Sequence, residues 1–209
     1  RLDGDIRYFK NFSSGNVLAT RFSGGIGIPY GNSEVLPYIK QFFIGGTNSI
    51  RAYRFRTLGP GSYFNEGDET SGGAGFFDQA GDIKLELNLE YRFDLYSWFE
   101  GAFFVDMGNI WLLDYDANRP GGWIKTSNPD NPSEGQFKVG KVLDEMAIGA
   151  GFGLRLDFDF FLIRFDLATP LRSPFLPEGE RWTFKDIRPL SGPWRKNNLR
   201  LNLAIGYPF

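Results

Sequence analysis

The feature that most constrains the fold of this chain is a strict alternation of polar and apolar residues from Asp82 to Leu95. Even-numbered positions carry Asp, Lys, Glu, Asn or Arg, and odd-numbered positions carry Ile, Leu, Tyr or Phe. Successive side chains of a β-strand point to opposite faces, so this segment predicts a strand with one polar and one apolar face. At about 3.3 Å per residue it would span about 45 Å, which is longer than a typical strand of a soluble protein.

The same period of two recurs along the chain. It predicts further strands at 99–111, 148–157, 161–167 and 199–209, with weaker candidates at 4–12 and 17–28. In the last strand the alternation is expected to place six large apolar side chains on one face: Leu199, Leu201, Leu203, Ile205, Tyr207 and Phe209.

The connections between the predicted strands alternate strictly between short and long. Tight turns follow the strands that end near residues 12, 95 and 157. Long segments rich in Gly, Pro, Asn and Asp follow the others, near 29–81, 112–146 and 169–198. Tight periplasmic turns and long extracellular loops are typical of outer-membrane barrels. We therefore predict an all-β chain that forms part of one transmembrane antiparallel β-barrel domain over residues 1–209.

The rival interpretation is a soluble β-sandwich or a lipocalin-like barrel. Strands this long, with charge concentrated on the face opposite the aromatic residues, argue against it. No apolar run is long enough for a transmembrane helix. The chain has no Cys and no His, which removes disulfides, His- or Cys-based metal sites and His-based catalytic triads, and its formal charge of -2 argues against a nucleic-acid partner. We expect no cofactor, no metal site and no catalytic residue.

The start of the chain indicates either a mature, processed product or a fragment, and the strand number favours a fragment. Arg1 is not an initiator Met, and no signal peptide follows it. Outer-membrane barrels normally have an even number of strands, so seven predicted strands imply further strands upstream of Arg1.

A motif lies within the first long loop, where residues 41–53 read QFFIGGTNSIRAY. This segment resembles the F-x-G-G … V/I-R-G-F/Y signature of the BamA/TamA outer-membrane assembly-factor superfamily. The continuation LGPGSY at 58–63 resembles the TamA-like proteins of Bacteroidetes usually called TamL. The blocks LEYRF at 89–93, FVDMGNIW at 104–111 and YPF at 207–209 also fit. Ala52 stands where the family normally has Gly.

The resemblance implies a barrel of about sixteen strands, of which this chain would supply about the last seven. It also implies that the motif loop folds back into the barrel and that its arginine reaches acidic residues on the next two strands. Carried over by motif, Arg51 would meet Glu90 and Asp106, with Gly45, Gly46, Ile50 and Tyr53 shaping the loop. The residues agree independently, because Glu90 and Asp106 both fall on the polar face of their strands.

The function implied by the resemblance is non-enzymatic assembly, insertion or translocation of proteins in the bacterial outer membrane. POTRA domains would precede the barrel, and the last strand would form one side of a lateral seam, with Leu203, Ile205, Tyr207 and Phe209 as its strand and signal residues. The implied partners are the lipid bilayer, unfolded outer-membrane clients and accessory subunits. Two rivals remain open: a passive porin-like channel, which would explain the polar face, and a barrel enzyme, which would have to work without His.

Overall fold

Seven antiparallel strands form one sheet in which strand order follows chain order. The computed structural model describes residues 1–63, 79–116, 118–119, 135–158 and 160–209, so parts of the loops predicted at 29–81 and 112–146 lie outside the described residues. The strands are β1 (Leu2–Ser13), β2 (Asn16–Ile26), β3 (Ile83–Tyr96), β4 (Phe99–Trp111), β5 (Ala147–Asp157), β6 (Leu162–Arg172) and β7 (Arg200–Ile205).

Helical structure in the described residues is short. It comprises α1 (Val142–Glu145), α2 (Gly192–Asn198) and three-residue 3-10 helices at Tyr38–Lys40, Val139–Lys141 and Phe184–Asp186. In the part of the chain that the structure describes, no helix has the length and hydropathy needed to cross a membrane.

The two faces of the sheet differ both in residue type and in burial. On β3, Glu86, Asn88 and Glu90 are buried, whereas Leu89 and Tyr91 are 41% and 38% exposed. Soluble domains place these residue types the other way round. We call the face that carries Glu90 the inner face and the face that carries Leu89 the outer face. An exposed apolar outer face suits contact with lipid, as in transmembrane barrels.

The inner face is covered by residues 41–61, which we call the inner segment. Main-chain hydrogen bonds join it to β4 and to the residues just before β3: Phe42 and Gly81 bond reciprocally at 2.8 and 2.9 Å, and the Gly61 amide donates to the Ile110 carbonyl of β4 at 2.8 Å. Apolar side chains from the two partners form one buried cluster of Phe42, Ile44, Ile50, Ala52, Tyr53, Leu58, Phe104, Ile110, Ala147 and Ala168. The motif loop therefore packs against the inner face of the sheet.

The last strand is shorter than the alternation predicts. β7 ends at Ile205, and Gly206 adopts a φ of 83°, a conformation that favours glycine. The chain then turns inward, so that Phe209 is buried and the Tyr207 hydroxyl donates to Glu100 at 2.9 Å. The prediction that Tyr207 and Phe209 continue the face of Leu203 and Ile205 is wrong, because the left-handed glycine interrupts the period of two.

Candidate functional site

Arg51 lies at the centre of the contact between the inner segment and the sheet. Its Nε and Nη2 atoms donate to the two carboxylate oxygens of Asp106 at 2.8 and 2.9 Å, and its main-chain amide donates to Asp106 Oδ2 at 3.1 Å. This fork-to-fork arrangement is specific to a planar guanidinium. Both residues are buried, so the pair is shielded from water.

The remaining guanidinium nitrogen of Arg51 reaches two further strands. Nη1 donates to Glu90 Oε2 at 2.6 Å and to Asp166 Oδ2 at 3.3 Å. The guanidinium carbon also lies 3.4 Å from the centroid of the Phe104 ring, in the geometry of a cation–π contact. One loop residue thus contacts β3, β4 and β6.

Three inner-face arginines complete the cluster. Arg92 Nε donates to Glu90 Oε1 at 2.8 Å, and Arg155 lies 3.0 Å from Glu90 Oε2 and 3.2 Å from Asp166. Arg164 lies 3.0 Å from Asp166 and donates to the Thr47 carbonyl and the Asn48 side chain of the inner segment. The ion pairs therefore join four arginines, Arg51, Arg92, Arg155 and Arg164, to three carboxylates, Glu90, Asp106 and Asp166.

Burial and charge act in opposite directions on Arg51. Burial lowers the pKa of the guanidinium, but the carboxylates of Asp106, Glu90 and Asp166 raise it, and the net effect is a pKa above the ordinary value for arginine. The three carboxylates therefore favour the charged form of Arg51.

Strand register explains why these side chains meet. Asn88 is paired with Asp106 across β3 and β4, and its amide donates to Asp106 Oδ1 at 3.0 Å. Gly149 of β5 is paired with Asp106 on the other side. A Cβ atom at Gly149 would lie 2.4 Å from the Cβ of Ala52, so the glycine leaves space for the inner segment.

The same observation accounts for the departure of Ala52 from the family motif. In the described residues, Arg56 and Ser97 are the non-glycine positions with a positive φ, so the backbone at Ala52 does not require glycine. The methyl group of Ala52 instead occupies the space above Gly149. Gly149 of β5 thus serves the packing of the inner segment on the inner face.

The other motif residues shape the turn that presents Arg51. Gly45 and Gly46 have φ values of 98° and 92°, and a Cβ at Gly45 would lie 2.3 Å from the Arg54 carbonyl oxygen. Ile50 is fully buried in the apolar cluster. The Tyr53 hydroxyl donates to the Arg172 carbonyl at 2.7 Å, which anchors the turn to the end of β6. Burial raises the pKa of Tyr53 above its ordinary value, so it stays a donor.

The inner segment is also joined to the last strand. The side-chain amide of Asn202 on β7 donates to the Arg51 carbonyl at 2.9 Å. Beside this bond lies a cavity of about 400 Å³ between the inner segment and β7, lined in part by Thr47, Phe55 and Leu201.

Comparison with known proteins identifies the family to which this chain belongs. A family model described as the Omp85 superfamily domain matches residues 1–185. The chain belongs to the Omp85 superfamily.

Relatives of this Omp85 domain include the outer membrane protein assembly factor BamA of Neisseria meningitidis serogroup B, which is 23% identical over 185 residues, covering 83% of this chain and 22% of that protein. The sorting and assembly machinery component 50 homolog B of Xenopus laevis is 30% identical over 119 residues, covering 54% of this chain and 23% of that protein. The chain thus spans about a fifth of the length of these relatives.

A solved structure shows the shared fold. BamA from Haemophilus ducreyi lacking POTRA domains 1–3 superposes with a TM-score of 0.55 at 18% identity, covering 98% of this chain and 34% of that one. The seven-stranded sheet of this Omp85 domain accordingly has the fold of part of a BamA-type β-barrel.

The structure brings together some of the residues singled out in the sequence and separates others. Arg51, Glu90 and Asp106 are in direct contact, whereas Leu203 and Ile205 lie exposed on the outer face. The motif resemblance did not identify Asp166, Asn88, Arg164 or Asn202 as partners of the inner segment, or Arg155 as a partner of Glu90. Each has the inner-face parity of its strand, which was the available signal, but parity does not say which inner residues meet.

Proposed function

We propose that this Omp85 domain belongs to a non-enzymatic factor that assembles, inserts or translocates proteins in the bacterial outer membrane. It would act through a lateral seam at β7 and through the inner segment held by Arg51. The names of the relatives support the proposal, because one is an assembly factor and the other a component of a sorting and assembly machinery. Lipid, unfolded client proteins and accessory subunits are the partners that this function requires.

The observation that carries the proposal is the edge of β7. In the described residues this strand pairs with β6 along one side and forms one edge of the sheet, as β1 forms the other. An unpaired edge can bind an extended chain by adding a strand to the sheet. The strand adjoining that edge would have an apolar outer face to match Leu201, Leu203 and Ile205, which are exposed.

The Arg51 contacts give the inner segment a role in the same device. Through Asp106, Glu90 and Asp166, the arginine fixes the segment against three strands, and its carbonyl accepts the bond from Asn202 on β7. A segment fixed in this way holds the inner side of the seam strand while its other edge receives a client.

Site-specific photo-crosslinking in the full-length protein tests the seam. A photoreactive residue would replace Leu203 on β7 or, as a matched control, Phe165 on β6, which pairs with Leu203 and lies at the same depth on the outer face. During insertion of a urea-unfolded β-barrel client into liposomes, crosslinks are expected from position 203 and not from 165. Equal crosslinking at both positions, or none at either during successful insertion, would refute the seam.

A passive channel is the second candidate, and the polar inner face is the observation that favours it. The inner segment argues against it, because residues 41–61 pack over that face. Planar-bilayer conductance separates the two functions. A channel would conduct steadily whether or not Arg51 is present and would not catalyse client insertion.

A further inference from the structure

The inward-turned residues after β7 lie against an arginine of the Arg51 cluster. The guanidinium carbon of Arg92 is 4.1 Å from the centroid of the Tyr207 ring and 5.8 Å from that of Phe209. Arg92 Nη2 also donates to the main-chain oxygen of Phe209 at 3.4 Å. These contacts are favourable because a guanidinium binds both an aromatic face and a carbonyl oxygen.

The same guanidinium holds the carboxylate that receives Arg51. Arg92 Nε donates to Glu90 Oε1 at 2.8 Å, while Glu90 Oε2 accepts Arg51 Nη1 at 2.6 Å. The two arginines therefore grip opposite oxygens of one buried carboxylate. The guanidinium of Arg92 thus contacts Glu90 and the residues after β7 at the same time.

A second anchor keeps residues 206–209 in this position. The Tyr207 hydroxyl donates to Glu100 Oε2 on β4 at 2.9 Å, and the Gly206 amide donates to the Leu162 carbonyl on β6 at 2.8 Å. The segment therefore bridges β4 and β6 across the inner face and presents its aromatic ring to Arg92.

We propose that Arg92 is a positioning residue that couples residues 206–209 to the inner segment through Glu90. The inference rests on the proposed function, because residues 206–209 continue the strand that would form the seam. When that strand is displaced and Tyr207 leaves, Arg92 loses its aromatic and carbonyl contacts and no longer fixes Glu90 from one side. The carboxylate then holds Arg51 less firmly. Coupling of this kind is reciprocal, so loosening the inner segment must also release residues 206–209.

Thiol labelling of the full-length protein in membranes measures both ends of this coupling, and this chain contributes no cysteine of its own. Pro208→Cys places a buried reporter in the segment after β7, and Ala52→Cys places one in the inner segment. With the first reporter, Arg92→Gln should raise the maleimide labelling rate about fivefold or more. Lys84→Gln is the matched control, because Lys84 is a cation of the same strand and face that pairs with Glu86 at 2.6 Å. It should leave the rate unchanged.

The reverse direction uses the second reporter. Tyr207→Ala should raise labelling of Ala52→Cys, whereas Tyr91→Ala, which removes a tyrosine from the outer face of β3, should not. If Arg92→Gln does not fold, Arg92→Lys decides the matter, since the ammonium keeps the charge beside Glu90 but loses the planar face. An intermediate labelling rate at position 208 is then expected.

Unchanged labelling in Arg92→Gln or Arg92→Lys would overturn the coupling, as would equal effects of Tyr207→Ala and Tyr91→Ala. The two experiments distinguish failure of the coupling from failure of the proposed function. Labelling reports where two segments lie, whereas the crosslinking experiment reports whether β7 receives a client, so either can fail alone.

Discussion

Truncating Arg51 to alanine tests how firmly the inner segment is fixed. The substitution removes the bidentate pair with Asp106, the bond to Glu90 and the stacking on Phe104. Asp106 would keep the side-chain amide of Asn88 and the main-chain amide of residue 51. Glu90 would keep Arg92 and Arg155. Asp106 and Glu90 therefore lose Arg51 but keep other hydrogen-bond partners.

The expected cost follows from this partial compensation. Breaking a buried ion pair costs about 3–5 kcal/mol when the remaining charge is left alone, and a hydrogen bond to a charged group contributes about 1.5–3 kcal/mol. The cluster pairs four arginines with three carboxylates, so losing Arg51 leaves three of each. We expect Arg51→Ala to lower the free energy of unfolding by about 2–4 kcal/mol. Arg51→Lys should recover less than half of this, because an ammonium lacks the planar fork.

Loss of an acid should cost at least as much as loss of Arg51. Asp166→Asn would leave two carboxylates for four buried or nearly buried arginines and deprive Arg164 of its closest counter-ion. Urea unfolding of the full-length protein in lipid, followed by tryptophan fluorescence, measures both variants. With a slope of about 2 kcal/mol per M, the Arg51→Ala midpoint should fall by about 1–2 M. A midpoint equal to wild type, or an Asp166→Asn variant more stable than Arg51→Ala, would contradict the charge balance described here.

Three further predictions concern packing, membrane exposure and pH. Gly149→Ala should loosen the inner segment, because the new methyl would lie 2.4 Å from that of Ala52, and adding Ala52→Gly should restore the packing. Protease sensitivity of residues 41–61 measures the loosening. A double variant as sensitive as Gly149→Ala would contradict the contact. Leu89→Arg on the outer face should cost about 2–4 kcal/mol in lipid, and a neutral effect on the urea midpoint would exclude lipid contact there. Burial raises the pKa of the Glu145 carboxyl despite the 2.6 Å bond from Trp111 Nε1. Folding thus favours the neutral form of Glu145. The stabilisation that results is complete below the ordinary carboxyl pKa of about 4.3 and is lost as pH rises through the raised pKa. The free energy of unfolding of Glu145→Gln, relative to that of wild type, should therefore be higher at pH 7 than at pH 4. An identical pH dependence of wild type and variant would refute this.

The sequence by itself determined the two faces of the sheet. The strict alternation from Asp82 to Leu95 assigns Glu86 and Glu90 to one face and Leu89 to the other, because side-chain direction in a strand depends only on position. The pairing of β1 with β2, of β3 with β4 and of β5 with β6 followed from the short turns between them, since a short turn forces neighbouring strands to pair. The motif resemblance predicted that Arg51 would contact Glu90 and Asp106, and these residues lie in contact.

The sequence could not determine which inner-face residues are in contact or where the alternation ends. Asp166 lies 115 positions from Arg51, and their contact depends on the register of four strands and on the path of the inner segment. The turn of Tyr207 and Phe209 toward Arg92 depends on the left-handed backbone of Gly206, which the continuing pattern of apolar residues conceals. Parity is a local property of the chain, whereas these contacts arise only when distant strands are brought into one sheet.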